Sequence, residues 1–202
     1  IDPLEVIDQY GADALRFMLI DGSTPGNDMR YSEEKVKAAR NFANKLWNAA
    51  RFVLMNIPEG FQAGMPAVED LDMSDKWVLS ELNKTARDMT ANMDSYDMGL
   101  AAAKIQNFIW DVYCDWYIEI CKSRLNGGDE KQADVARKVL VYVLDRALKL
   151  LHPFMPFITE EIYQALPGSG ETIMTQLWPG NENMKIWAED CADFEKLMDY
   201  IK

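Results

Sequence analysis

The residue types best suited to chemistry lie on one helix-length stretch, NFANKLWNAARF, from Asn41 to Phe52. With Arg40 at zero and an advance of about 100° per residue, Lys37, Arg40, Asn41, Asn44, Asn48 and Arg51 fall within roughly 0–100°. Ala39, Phe42, Ala43, Leu46, Ala49, Ala50, Val53 and Leu54 fall within roughly 180–320°, a core stripe. Phe52 lies near 120°, off the core side, and Trp47 at the border. Arginine offers charge and a flat fork, asparagine donor and acceptor together, and an outward ring a surface on which a base stacks. Those three properties suit recognition of unpaired RNA, where one stacking platform contributes about 1–3 kcal/mol. A solvated helix face with Phe52 packed under a neighbouring loop has the same pattern. The pattern does not name a ligand.

Charge sharpens the contrast. Lys plus Arg is 21 and Asp plus Glu is 33, for a net charge of −12, so most of the surface repels polyanions and a nucleic acid needs a local patch. Between Lys35 and Asn56 there are five cations (Lys35, Lys37, Arg40, Lys45, Arg51) and no acid, against about one acid in six residues for the whole chain.

Other reactive side chains form no comparable set. Cys114 and Cys121 are seven apart in a helical pattern, about 10.5 Å along the axis and too far for a disulfide. With Cys191 they read as buried free thiols in a reducing compartment, and four-ligand zinc spacing is missing. His152, the only histidine, precedes Pro153 at a helix end and fits capping or packing, since no triad-like partner surrounds it. Glu160 and Glu161 are helix neighbours that point apart, so they fit a solvated first turn rather than an acid–base pair. Trp110, Tyr113, Trp116 and Tyr117 recur at helical spacing and read as core. GSG at Gly168–Gly170 lacks the lysine-bearing helix of a phosphate loop. No catalytic, metal-binding or cofactor-binding residues are expected, and no apolar run reaches the ~20 residues that span a bilayer.

The elements that carry these residues are helical. Asp2-Pro3-Leu4-Glu5 starts a helix, Gly11 interrupts it, and Ala12–Ile20 continues as a short apolar helix. Asp21–Asp28 reads as a loop. Ser32 caps the helix that holds the candidate face, with Glu33 and Glu34 in its first turn, and this helix ends near Asn56 before Pro58. A linker follows over 57–72. Helices are expected from Ser74 to about Tyr96, from Met98 to about Leu125, from an Asp129 cap through Leu150, over Phe157–Ala165 and from Ala188 onward. Thr172–Trp178 (TIMTQLW) is the one strand candidate. The fold class is therefore all-α, an antiparallel helix bundle with a short strand-and-helix appendage near the C-terminus. The division is 1–30 as a linking segment, 31–166 as the bundle and 167–202 as the appendage. The opening at Ile1 rather than Met reads as a piece of a larger protein.

The segment DMRYSEEKVKAARNFANKLWNAARFVL (Asp28–Leu54) closely resembles the start of the anticodon-binding bundle of bacterial-type valyl-tRNA synthetases. DPLEVIDQYGADALRFML (Asp2–Leu19), CDWYIEICK (Cys114–Lys122) and LLHPFMPFITEEIYQAL (Leu150–Leu166) agree in order and spacing, and the resemblance thins after about residue 180. Tyr113 and Tyr163 stand where Phe and Trp are expected. The isoleucyl and leucyl enzymes share looser counterparts. The resemblance implies a class I aminoacyl-tRNA synthetase, cytoplasmic and monomeric, whose ATP- and Mg-dependent catalytic and editing centres lie outside this segment. The chain itself would need no cofactor. Its implied partners are the tRNA(Val) anticodon stem-loop and the rest of the synthetase, with no membrane. It also implies that Arg30, of the D-x-R before the helix, and Phe52, of NAxRF, lie at the anticodon. Arg40, Asn44, Asn48 and Arg51 join them from the helical wheel alone. A helical protein-interaction module without an RNA role is the rival of a different class.

Overall fold

The computed structural model describes residues 2–23, 26, 28–180 and 185–201, and every regular element among them is a helix. The loop expected over Asp21–Asp28 lies partly outside these residues, as does Lys202. Helix α1 (Pro3–Tyr10) starts where the Asp2 carboxylate accepts from the Leu4 amide at 2.9 Å. It stops at Gly11, whose φ of 90° only glycine adopts freely, and α2 (Ala12–Ile20) resumes at an angle. Helix α3 (Glu33–Met55) begins under the Ser32 hydroxyl, which accepts from the Lys35 amide at 3.4 Å. Its buried residues, Val36, Ala39, Phe42, Leu46, Ala49, Ala50 and Val53, follow the expected stripe; Ala43 and Leu54 are half-buried.

Helix α4 (Met73–Asp94) is capped by Asp72 rather than started by Ser74. Asp72 accepts from the Asp75 amide at 2.9 Å while the Asp75 carboxylate accepts from the Asp72 amide at 3.1 Å, a reciprocal box that one acid alone cannot make. Ser74 instead donates its hydroxyl to Asp72 at 2.6 Å. Helix α5 (Met98–Asn107), a π-helical stretch (Phe108–Tyr117) and α6 (Ile118–Asn126) follow without a break, because Asn107 and Tyr117 keep helical dihedrals. The Ile118 amide reaches the carbonyl of Tyr113, five residues back. Helix α7 (Glu130–Leu151) starts at Asp129, which accepts from the Lys131 and Gln132 amides, and α8 (Pro156–Ala165) has proline in its first turn.

Side-chain pairs fix the helix directions. Phe42 stacks on Trp110, Lys45 binds Asp115 and Lys122 lies over Phe52, so α3 runs parallel to the long α5–π–α6 helix. Lys104 binds Asp88 and Tyr117 binds Asp75, so α4 runs the other way; Tyr113 donates to the Leu140 carbonyl, and the short 127–129 turn sets α7 antiparallel to α6. Consecutive long helices thus alternate in direction. Helix α3 packs on the π stretch and α7, and α1, α2 and α8 close over its other side. One core runs through all of them, with Tyr113, Tyr117, Phe17, Phe42 and Leu46 essentially enclosed, each such side chain stabilising the fold by about 1.5–3 kcal/mol.

The expected strand at Thr172–Trp178 does not form. Ile173–Thr175 is a 3-10 turn, and its polar groups are taken by Glu160 of α8, which accepts from the Thr172 hydroxyl at 2.8 Å and the Ile173 amide at 3.2 Å. Glu160 is accordingly half-buried and engaged rather than sitting in a solvated turn. Two further parts of the appendage dock on α4: Trp178 donates to Thr90, and α9 (Ala188–Ile201) brings the Phe194 ring centre to 4.9 Å from that of Trp77.

Candidate nucleic-acid interface

The six candidate residues sit on α3 and the extended segment before it, and the structure sorts them into two flanks. Arg30 is exposed just ahead of the Ser32 cap. Phe52 lies near the far end of the helix, separated from Glu33 by about 28 Å of helix axis. Arg30 and Phe52 therefore meet different parts of any ligand.

On one flank, Arg40 donates from Nη1 to the carbonyl of Gln9 at the end of α1. Arg40 and Asn44 line a cleft of about 520 Å³ whose far wall is Tyr10, Asp13 and the first turn of α8 at Phe157 and Ile158. Two turns on, Arg51 and Trp47 border a slot of about 80 Å³ against Glu161, Ile162 and Ala165 of α8. Trp47 is 41% exposed and Phe157 65% exposed, two rings beside the arginines that the helical wheel did not place in the site. Asn48 is exposed between the flanks.

On the other flank α3 meets the long helix. Lys45 donates to Asp115 at 2.6 Å and lies 3.9 Å from the centre of the Trp110 ring. Phe52 is half-buried, packed on the core, rather than bare, and the Lys122 ammonium lies 5.7 Å from its ring centre. The helical wheel puts Phe52 on the solvent side because it carries no information about α6, from which Lys122 reaches over that ring. Lys122 was equally invisible, since nothing in the sequence links residue 122 to residue 52.

The acid-free window is also less cationic than it reads. Glu33 binds Lys37 at 2.8 Å and Asp115 takes Lys45, both acids coming from outside the window. Among the described residues Arg30, Lys35, Arg40 and Arg51 form no ion pair, so the remaining charge is spread along the face, with Arg40 turned onto the Gln9 carbonyl.

The surrounding titratable groups are structural. Asp13 of α2 accepts from the Phe157 and Ile158 amides at 3.3 and 2.7 Å, capping α8 from a different helix; burial raises its carboxyl above the usual range against the pull of those amides. His152 Nδ1 lies 2.8 Å from the Thr159 hydroxyl, and burial lowers its pKa. Cys114, Cys121 and Cys191 are buried free thiols, and burial pushes the first two up to about 12, far from reactive. Among the described residues no three His, Cys, Asp or Glu converge to hold a metal ion, and no helix is long and apolar enough to cross a membrane.

Residues 75–202 match the family described as the anticodon-binding domain of tRNA ligase. The chain belongs to that family. The span matched by this anticodon-binding domain begins at α4, so all six candidate residues precede it. Similarity to individual relatives covers α3 as well. The valine–tRNA ligase of Staphylococcus epidermidis is 50% identical, and that of Staphylococcus aureus MRSA252 49% identical, over the whole of this chain. The chain spans 23% of the length of each. The domain's fold recurs in the Agrobacterium radiobacter K84 agnB2 LeuRS–tRNA–LeuAMS complex, with a TM-score of 0.68 and 20% identity over 95% of this chain and 21% of that one. It recurs again in Mycobacterium tuberculosis methionyl-tRNA synthetase, with a TM-score of 0.65 and 22% identity over 80% of this chain and 33% of that one.

Proposed function

We propose that this chain is the part of a valine–tRNA ligase that holds the anticodon stem-loop of tRNA(Val). The similarity to valine–tRNA ligases, 50% identity running through α3 as well as the bundle, carries the reading. In the proposed division, 31–166 grips the RNA, 1–30 links it to the catalytic region and 167–202 is an appendage. Activation of valine with ATP and Mg belongs to the rest of the ligase, a cytoplasmic monomer in this reading. The work of the bundle is positioning: it fixes the anticodon while a distant centre reaches the acceptor end. Arg30 and Arg51 supply unpaired positive charge at the two ends of α3, Arg40, Asn44 and Asn48 polar contacts between them, and Phe52 a stacking surface.

Binding by the chain alone is expected to be micromolar or weaker, since phosphate contacts supply much of RNA affinity and the chain carries −12. Titration of the isotope-labelled chain with a tRNA(Val) anticodon stem-loop, read by NMR, tests this. Shifts should concentrate on 30–52. Phe52→Ala should weaken binding by about 1–3 kcal/mol. Arg30→Ala should add to that loss independently, because the two sites lie too far apart to couple. Silence at millimolar RNA favours a protein-interaction module instead, and equal response to leucine or isoleucine stem-loops removes the valine assignment.

A further inference from the structure

Two lysine–ring–carboxylate sets occupy the seam between α3 and the long helix, one heptad apart on each helix. In the first, Lys45 lies over Trp110 and binds Asp115; in the second, Lys122 lies over Phe52 and binds Glu119 at 2.6 Å. They differ in closure. Lys45 sits 3.9 Å from its ring centre with its side chain 23% exposed, a closed clamp between helices. Lys122 sits 5.7 Å from its ring centre and is 44% exposed, while Glu119 is 58% exposed. The second set is the open end of the seam. An exposed pair three residues apart and an exposed cation over a benzyl ring are both weak interactions, so the ammonium is held loosely and little opposes its release.

Resting on the proposed stem-loop reading, we propose that Lys122 is the second half of the Phe52 site. In the free chain Glu119 holds it over the ring; when a base stacks there, the ammonium leaves Glu119 and pairs with a phosphate of the same strand. The physical basis is an exchange. A flat base covers more of the ring than an ammonium does, and the displaced charge trades a carboxylate that is already solvated for a phosphate that would otherwise be uncompensated against a −12 protein. The lysine thereby couples stacking to backbone recognition at the end of α3 farthest from Arg30.

The opposing roles of Lys122 and Glu119 give the test. Affinity of the chain for a tRNA(Val) anticodon stem-loop is measured over a series of chloride concentrations for wild type, Lys122→Ala, Glu119→Gln and the double variant. Lys122→Ala should weaken binding and flatten the slope of log K against log salt by about 0.7, the loss of one single-strand phosphate contact. Glu119→Gln should tighten binding, and that gain should vanish in the Lys122→Ala background, which separates release of the lysine from a general drop in negative charge. An unchanged slope for Lys122→Ala, or a gain shown equally in both backgrounds, overturns the proposal while Phe52→Ala still reports on the stem-loop reading. Absence of any binding by the wild type removes both.

Discussion

Asp75 shows how much one enclosed charge can organise. It is fully buried, yet it accepts from the Tyr117 hydroxyl and from Arg124, both at 2.6 Å, and closes the capping box of α4. Arg124 also meets Asp72 at 2.9 Å and is itself nearly buried, with Nε lacking a partner among the described residues. Burial alone would lower the guanidinium pKa, but the hydrogen bond and charge of Asp75 outweigh it, so Arg124 stays charged. Three elements, α4, the π stretch and α6, are thus tied at one carboxylate. Asp75→Ala should cost about 3–5 kcal/mol in urea unfolding, because it strands Arg124, whereas an Asp75→Leu, Arg124→Met pair should recover most of that loss. A small loss for the single variant would mean that Asp72 alone balances the arginine. None of this was legible in the sequence, where Asp75 is an ordinary first-turn acid. The candidate site fared unevenly for the same reason. The exposure of Arg40, Asn48 and Arg51 follows from periodicity within α3, while the cover over Phe52 comes from a helix seventy residues away.

At the level of elements, local chemistry was readable where it is complete within a few residues. Asp2, Ser32 and Asp129 cap as their sequence context requires, and Gly11 divides α1 from α2. The π stretch and the 172–178 segment were not readable, because each is set by what it packs against. TIMTQLW has the β-branched and aromatic content of a strand, but its Thr172 and Ile173 donors meet a carboxylate of α8 instead of a neighbouring strand. Glu160 is therefore a latch, and its titration gives it a direction. Partial burial works to raise its pKa, but hydrogen bonds from Thr172, Gln164 and the Ile173 amide prevail and lower it. A carboxyl with a depressed folded-state pKa stabilises above its unfolded value, near 4.5, and loses that contribution as pH falls through the folded value. The turn should stay latched at neutral pH and loosen only in acid below 4.5. At fixed neutral pH, Glu160→Gln should speed hydrogen exchange of the Ile173 amide while leaving the amides of α7 protected; unchanged exchange would show that packing of buried Ile173 holds the turn unaided.

Taken whole, the molecule sets a strongly acidic surface against a seam and a helix end that keep a few cations free. Self-repulsion at −12 disfavours the compact state, and added salt screens it over a Debye length of about 8–10 Å. The same screening penalises phosphate contacts. Most lysines here are already matched to acids, as in Lys138–Asp134, Lys149–Asp145 and Lys196–Asp193, and exposed pairs of this kind contribute little to either balance. If, in the proposed reading, Arg30, Arg51 and the loosely held Lys122 are the cations that meet the backbone, about three phosphates are contacted and log K should fall with log salt at a slope of about −2. Between 50 and 200 mM chloride that is roughly a 15-fold loss of stem-loop affinity. Over the same range the fold should gain on the order of 1 kcal/mol, raising the thermal midpoint by about 2–4 °C. Opposite signs in the two measurements are the signature of a patch-bearing acidic protein. A thermal midpoint that falls with salt would mean that the surface ion pairs outweigh net repulsion, and an affinity indifferent to salt would mean that the bound RNA is held by its bases alone.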